Sequence, residues 1–173
     1  MASLYDRMFR AAKLEAQLYE EVEADRDATV QATVVVVLAA VAAGIGSLGS
    51  GSALGIISGT MVALVSWLVW ALLTYFVGTR LLPEPETRAD YGELLRTIGF
   101  SSSPGLIRVL GIVPGLGAPL FVIAGIWMLV AMVIAVRQAL DYTSTLRAVG
   151  VCLIGWLVQA LILILAAPLI GIG

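Results

Sequence analysis

DYGELLRTIGFSSSPGLIRVLGIVPGLG, residues 90–117, is the stretch that decides the fold. It begins polar and becomes apolar, but Ser-Ser-Ser-Pro-Gly interrupts it at 101–105 and Pro114-Gly115 interrupts it again. It also carries Arg108, the only charged residue inside any long apolar segment. Irregular backbone at membrane depth is tolerated only where protein or a water-filled cavity satisfies it. The interruption therefore marks the candidate functional site.

The composition indicates a membrane protein. Of the 173 residues, 60% are hydrophobic and 13% are charged, whereas an ordinary soluble domain is about half apolar and about a quarter charged. The mean hydropathy is +1.01. We therefore predict an integral membrane protein that folds as one helical bundle.

Apolar runs of about 20 residues predict membrane-spanning helices, because that length of α-helix covers the hydrocarbon core. Besides the interrupted stretch, such runs occupy 30–48, 54–77 and 148–169, and 121–135 is the core of another span that ends at Arg137. The prediction is an all-α bundle of five transmembrane helices, of which the third is broken at Ser101–Gly105.

Residues 1–28 are predicted to form an amphipathic interfacial helix in front of a five-span domain over 29–173. From Leu4 to Val22, apolar side chains recur on one helical face and charged side chains on the other. Two interpretations stay open: the helix lies in the membrane interface, or it docks a partner helix. The acidic run Glu20–Asp27 argues against an anchor for anionic lipid or nucleic acid. No apolar core of a cleavable signal peptide is visible in this segment.

Basic residues give the expected orientation. In the five-span arrangement, nine of the ten Lys and Arg residues fall on one side: Arg7, Arg10, Lys13, Arg26, Arg80, Arg88, Arg96, Arg137 and Arg147. The opposite connections, 49–54 and 114–117, carry none. The positive-inside rule then places the N-terminus in the cytoplasm and the C-terminus outside.

Small residues recur at every fourth position where the second span begins, namely Gly51, Gly55, Gly59 and Ala63. This spacing forms a groove that lets another helix approach closely. The approaching helix belongs either to the same bundle or to another protein.

Two transitions from loop to helix share a sequence pattern. The matched residues are Asp90, Tyr91 and Arg96 in the first copy and Asp141, Tyr142 and Arg147 in the second. An Asp at a helix start accepts unpaired backbone N–H groups, and Asp90 with Glu93 has capping-box spacing. The tyrosines suit the interface, and the arginines are predicted to reach back to lipid headgroups. If the copies face each other, Asp90 pairs with Arg147 or Asp141 with Arg96.

Residue content argues against an enzyme. The chain has no His and one Cys, Cys152, so neither a Ser-His-Asp nor a Cys-His set can be assembled. The carboxylates between 84 and 93 match no known metal-binding loop and are typical of a solvated surface. We predict no catalytic residue, no cofactor and no metal.

The break at 101–105 has two interpretations. Pro104 removes a helical hydrogen bond, and Ser101 to Ser103 are predicted to satisfy the freed carbonyls. In the first interpretation this is a kink, and Arg108 extends to the outer surface. In the second, a half-helix lines a polar cavity in which Arg108 is the fixed charge.

The segment Gly99-Phe100-Ser101-Ser102-Ser103-Pro104 is similar to the Gly-Tyr-x-x-x-Pro element at the start of the third span in the Yip family. With five spans and a cytoplasmic N-terminus, the chain resembles these small polytopic membrane proteins, which are named for interaction with Ypt/Rab GTPases. It lacks the Asp-Leu-Tyr-Gly-Pro element and the long N-terminal arm of eukaryotic members, and so resembles the short bacterial ones. The resemblance implies the bacterial inner membrane, and it does not extend to GTPase binding.

Together these features predict a membrane scaffold that associates laterally with other integral membrane proteins, including a second copy, within the lipid bilayer and without nucleic acid. An accessory subunit at the rim of a larger complex is one alternative. A small transporter or channel component that uses the broken third helix is another.

Overall fold

A computed structural model describes residues 3–47 and 53–170, with side chains over 3–47 and 54–161. Every element within these ranges is helical, which confirms the all-α class. The elements are α1 (Leu4–Ala12), α2 (Ala16–Ala24), α3 (Ala28–Gly46), α4 (Ala53–Phe76) with a π-helical extension (Val77–Leu81), α5 (Tyr91–Phe100), a 3₁₀ helix (Ser103–Ile112), α6 (Gly117–Ala139) and α7 (Thr145–Ile170). Gly51 of the predicted groove lies outside the described residues.

Three of these helices are long and apolar enough to cross a membrane: Ala28–Gly46, Leu54–Leu81 and Gly117–Ala139. A fourth helix, α7, is apolar over Thr145–Leu161, the part whose side chains are described. The predicted spans match these helices to within a few residues at most ends. The chain is therefore a multi-pass membrane protein.

The third segment, Tyr91–Ile112, differs from the predicted broken α-helix. It is α-helical only to Phe100 and continues as a ten-residue 3₁₀ helix after a turn at Ser101-Ser102. A 3₁₀ helix rises about 2.0 Å per residue and an α-helix about 1.5 Å. The segment is therefore about 35 Å long. After the break it does not simply bend, because each residue there advances further along the helix axis than a residue of α5 does.

Small residues bring the third segment directly onto α3. A Cβ atom added to Gly99 would lie 2.7 Å from the Cβ of Ala32, and one added to Gly105 would lie 3.4 Å from the Cβ of Ala39. A Cβ on Gly46 would overlap the backbone of the 3₁₀ helix. Because the three α3 positions are seven residues apart, they share one face of the helix. The third segment therefore runs parallel to α3 along most of its length.

The N-terminal region is two helices, so the prediction of one helix over 4–22 was wrong. Leu14 has φ of +64°, its N–H donates to the carbonyl of Ala11, and the N–H of Glu15 donates to that of Arg10. This is a Schellman motif, which ends a helix and usually has Gly at the left-handed position. We refer to α1 and α2 together as the N-terminal hairpin.

The apolar face of the hairpin packs against its own chain. Leu18, Tyr19 and Val22 are completely buried, and α2 contacts both α5 and α6. The indole N–H of Trp127 in α6 donates to the carbonyl of Ala12 at 2.8 Å. The face predicted to meet the membrane interface or a partner helix is therefore occupied by the bundle itself.

Candidate functional site

The third segment begins with the predicted capping box. The Asp90 carboxylate accepts the backbone N–H of Glu93 at 2.9 Å, and the Glu93 carboxylate accepts that of Asp90 at 2.7 Å. The Tyr91 hydroxyl donates to the carbonyl of Leu68 at 3.0 Å. The cap fixes where α5 starts, and Tyr91 ties its first turn to α4.

Two of the three serines that were predicted to satisfy the carbonyls at the break, Ser101 and Ser103, do so with their hydroxyls. Pro104 has no N–H to offer the carbonyl of Phe100, four residues back, and the Ser103 hydroxyl donates to that carbonyl at 2.7 Å. The Ser101 hydroxyl donates in the same way to the carbonyl of Ile98 at 2.7 Å. The chain thus leaves the α-helix without exposing these polar groups.

The break is also filled by side chains. Ser101, Ser103 and Phe100 are buried, while Ser102 is partly exposed and its N–H donates to the carbonyl of Gly99. A Cβ on Gly105 would lie 2.9 Å from the Met128 sulfur. Two cavities of about 510 and 490 Å³ lie elsewhere, at opposite ends of the bundle.

Arg96 joins the third segment to the hairpin. Its side chain is buried, and its guanidinium donates to the carbonyls of Val22 at 2.9 Å and Glu23 at 3.1 Å. These carbonyls belong to the last turn of α2, where helical partners are missing and the helix dipole favours a cation. The prediction that Arg96 extends to headgroups was wrong, because the end of α2 supplies a closer acceptor.

The two proposed pairs across the repeat do not form. Arg147 donates to the carbonyl of Pro83 at 2.7 Å and lies 3.5 Å from a carboxylate oxygen of Glu84, not beside Asp90. Arg96 is engaged by α2 and not by Asp141. Glu84 also accepts hydrogen bonds from the hydroxyl and from the backbone N–H of Thr143. These bonds hold the pKa of Glu84 below its usual value, and the bond from the hydroxyl has the larger effect.

The repeat is one of sequence and not of local structure. Asp90 starts α5, whereas Asp141 has φ of +53° and forms the left-handed end of α6. Its N–H donates to the carbonyl of Gln138, and that of Tyr142 donates to Arg137, again a Schellman motif. Tyr142 is buried instead of lying at the interface, and its hydroxyl donates to the carbonyl of Gly78 in the π-helical extension and to that of Leu82 just after it.

Glu23 is an unusual carboxyl beside the Arg96 junction. Burial raises its pKa to about 7, and the negative charges of Glu93, Asp141 and Glu20 add to the shift, while Arg96 opposes it. From the sequence, Glu23 was identified only as one member of the acidic run Glu20–Asp27. The raised pKa could not be seen from the local sequence, because Glu93 lies on α5 and Asp141 in the loop after α6.

Arg108 lies on the 3₁₀ helix. Its backbone carbonyl packs against Gly46, and the carbon centre of its guanidinium lies 5.3 Å from the centroid of the Phe121 ring. Its Nε atom is buried without a hydrogen-bond partner among the described residues.

The described part of the predicted groove faces away from the bundle. Gly55 and Gly59 are exposed, Ala63 is partly exposed, and a Cβ added to Gly59 would meet nothing within 4 Å. The interpretation that this groove packs within the bundle is therefore not supported for these residues.

A family model described as the Yip1 domain matches residues 16–167. The match begins at the first residue of α2 and takes in the whole third segment, including the element Gly99–Pro104 on which the resemblance was based. No curated protein and no solved structure matches the chain.

Replacing Arg96 tests the junction. We expect Arg96→Gln to lower the free energy of unfolding of the docked hairpin by about 1.5–3 kcal/mol, because charge-assisted hydrogen bonds to α2 are lost. Hydrogen exchange of the purified protein should then be faster over residues 4–24. Arg88→Gln, a change at an exposed loop arginine, is the control. Unchanged hairpin protection in Arg96→Gln would contradict the assignment.

Glu23 makes stability depend on pH. Its pKa in the folded protein, about 7, lies above the ordinary value of 4.5, so folding disfavours the charged form. Stability should therefore fall as pH rises from about 4.5 to about 7 and level off above. We expect Glu23→Gln to match the parent Tm at pH 5, to exceed it at pH 8, and to lose part of the pH dependence. Equal pH profiles would refute this, and Glu86→Gln, at an exposed position, is the control.

Proposed function

Because the matched family model covers most of its length, the chain belongs to the Yip family, and we propose that it is a non-enzymatic membrane scaffold that associates laterally with other integral membrane proteins. GTPase binding is not part of the proposal, since the residues before the first span do not include the Asp-Leu-Tyr-Gly-Pro element of eukaryotic members. A second copy of the chain is included among the proposed partners.

The topology that we propose has five crossings. The third segment lies parallel to α3 and is about 35 Å long by its helical rises, enough to cross a core of about 30 Å. α7 has 26 residues. Positive charge is concentrated where α3 begins, which supports a cytoplasmic N-terminus and an external C-terminus. The bacterial inner membrane is proposed as the location because the chain resembles the short bacterial family members.

We retain 29–173 as the membrane domain and 1–28 as its attached N-terminal segment. Buried residues of the hairpin and of the bundle belong to one hydrophobic core, which includes Tyr19 of α2 and Leu94 of α5. Its outward face carries the exposed Tyr5 and Phe9, whose rings stack with centroids 6.4 Å apart. This face, and not the buried one, is where bilayer or partner contact is proposed.

The observation that carries the proposal is the outward position of the α4 glycines. Elsewhere in the bundle, Gly99 and Gly46 are used for close contact between the third segment and α3, where a side chain would collide. Gly59 on α4 has open space instead, between exposed apolar side chains such as Ile57 and Met61. In a bilayer such a face favours close approach of a second helix, because packing and not hydrophobicity drives association there.

The accessory-subunit alternative uses the same α4 face and differs only in the partner's size. The transporter alternative is less well supported. The hydroxyls of Ser101 and Ser103 are engaged by the carbonyls of Ile98 and Phe100, which leaves them poorly placed to line a polar path.

A matched pair of variants tests lateral association. Gly59→Leu and Gly125→Leu both add a side chain where a Cβ meets nothing within 4 Å, but only Gly59 lies on the proposed face. We expect Gly59→Leu to reduce recovery of a stoichiometric partner, or of a homo-oligomer, about tenfold in native mass spectrometry after mild detergent extraction. Gly125→Leu should retain it, and both should keep the parent Tm. Equal association in the two variants would refute the proposal.

A further inference from the structure

Arg108 has no counter-charge within the described part of the chain. Five other arginines bind a carboxylate or a carbonyl, namely Arg7, Arg10, Arg96, Arg137 and Arg147, and the remaining three, Arg26, Arg80 and Arg88, are exposed. Arg108 is only partly exposed, the carbon centre of its guanidinium lies over the Phe121 ring, and its Nε atom is buried without a hydrogen-bond partner among the described residues. A cation partly withdrawn from water without a partner is costly, so a binding group is expected there.

No acidic side chain can supply that group. All twelve acidic residues fall in 6–27, 84–93 or at Asp141. Those regions lie at the end of the bundle where α3 begins. Arg108 lies at the other end, packed against Gly46, the last residue of α3. An anionic partner for Arg108 is therefore not an acidic side chain of this protein.

We propose that Arg108 binds the phosphate of an anionic lipid headgroup in the leaflet opposite the N-terminal hairpin. The planar guanidinium matches phosphate oxygens and donates two parallel hydrogen bonds. The guanidinium lies over the Phe121 ring, with its carbon 5.3 Å from the ring centroid, and this cation–π contact leaves the terminal N–H groups for the phosphate. This assignment does not depend on the proposed scaffold function.

The surroundings favour a lipid over free phosphate. The 3₁₀ helix that carries Arg108 also exposes Val109, Leu110 and Ile112. These apolar side chains would contact the acyl chains of the same lipid while Arg108 holds its headgroup. Free phosphate has no apolar part that could pack against these side chains.

The test is lipid binding by the purified full chain, measured by native mass spectrometry with dioleoyl-phosphatidylglycerol. We expect Arg108→Gln to weaken binding of one lipid about tenfold, the loss of roughly 1.4 kcal/mol. Arg88→Gln, which removes an exposed arginine at the opposite end, should bind as the parent does. Dioleoylglycerol, which lacks the phosphate, should show no dependence on Arg108.

A second variant and a competition measurement distinguish lipid binding from binding of free phosphate. Phe121→Leu keeps the charge but removes the aromatic face and should weaken binding to a smaller degree, which also serves if Arg108→Gln fails to fold. Inorganic phosphate should not displace the lipid. Displacement by millimolar phosphate would overturn the lipid assignment and indicate a site for free phosphate. Equal lipid binding by the parent, Arg108→Gln and Phe121→Leu would overturn the proposal entirely.

Discussion

The structure depends on one constraint: backbone groups that leave a regular helix at membrane depth must find partners within the protein, because no water is present to supply them. At the break of the third segment, Ser101 and Ser103 donate to the carbonyls that the helix end and Pro104 leave unpaired. With those groups satisfied, the chain continues as a 3₁₀ helix that lies along the small residues of α3. The close contact between α3 and the third segment follows from this local solution.

The same requirement organises the two ends of the bundle. At one end, the last carbonyls of α2 need a donor, and the buried Arg96 provides it from the third segment. This places the N-terminal hairpin against α5 and α6 and brings Glu23 close to other carboxylates. At the other end, the unpaired group is a cation, Arg108, for which the described residues offer no acceptor. The polar groups at one end are paired within the protein, whereas the cation at the other end is available to a group from the surroundings.

Features that depend on neighbouring residues were predictable from the sequence. The capping box of Asp90 and the roles of Ser101 and Ser103 each follow from residues a few positions apart, and the long apolar helices follow from composition. The division of the hairpin was missed because Leu14 adopts a left-handed conformation usually taken by Gly. The partner of Arg96 was missed because Val22 is 74 residues away in sequence. The repeat misled because equal residues cap opposite ends of helices at Asp90 and Asp141.

The central claim is that the break is closed to water. The most direct measurement is labelling of Ser103→Cys by a membrane-impermeant maleimide, with Cys152 replaced by Ala and Ser101 retained, because the Ser103 side chain is buried at the break. Thiols react as thiolates and therefore need water. The account predicts no labelling from either side of the membrane until the protein is denatured, while Glu86→Cys in the exposed loop reacts readily. Labelling of Ser103→Cys at a rate comparable to Glu86→Cys would contradict the account and indicate a water-filled cavity at the break.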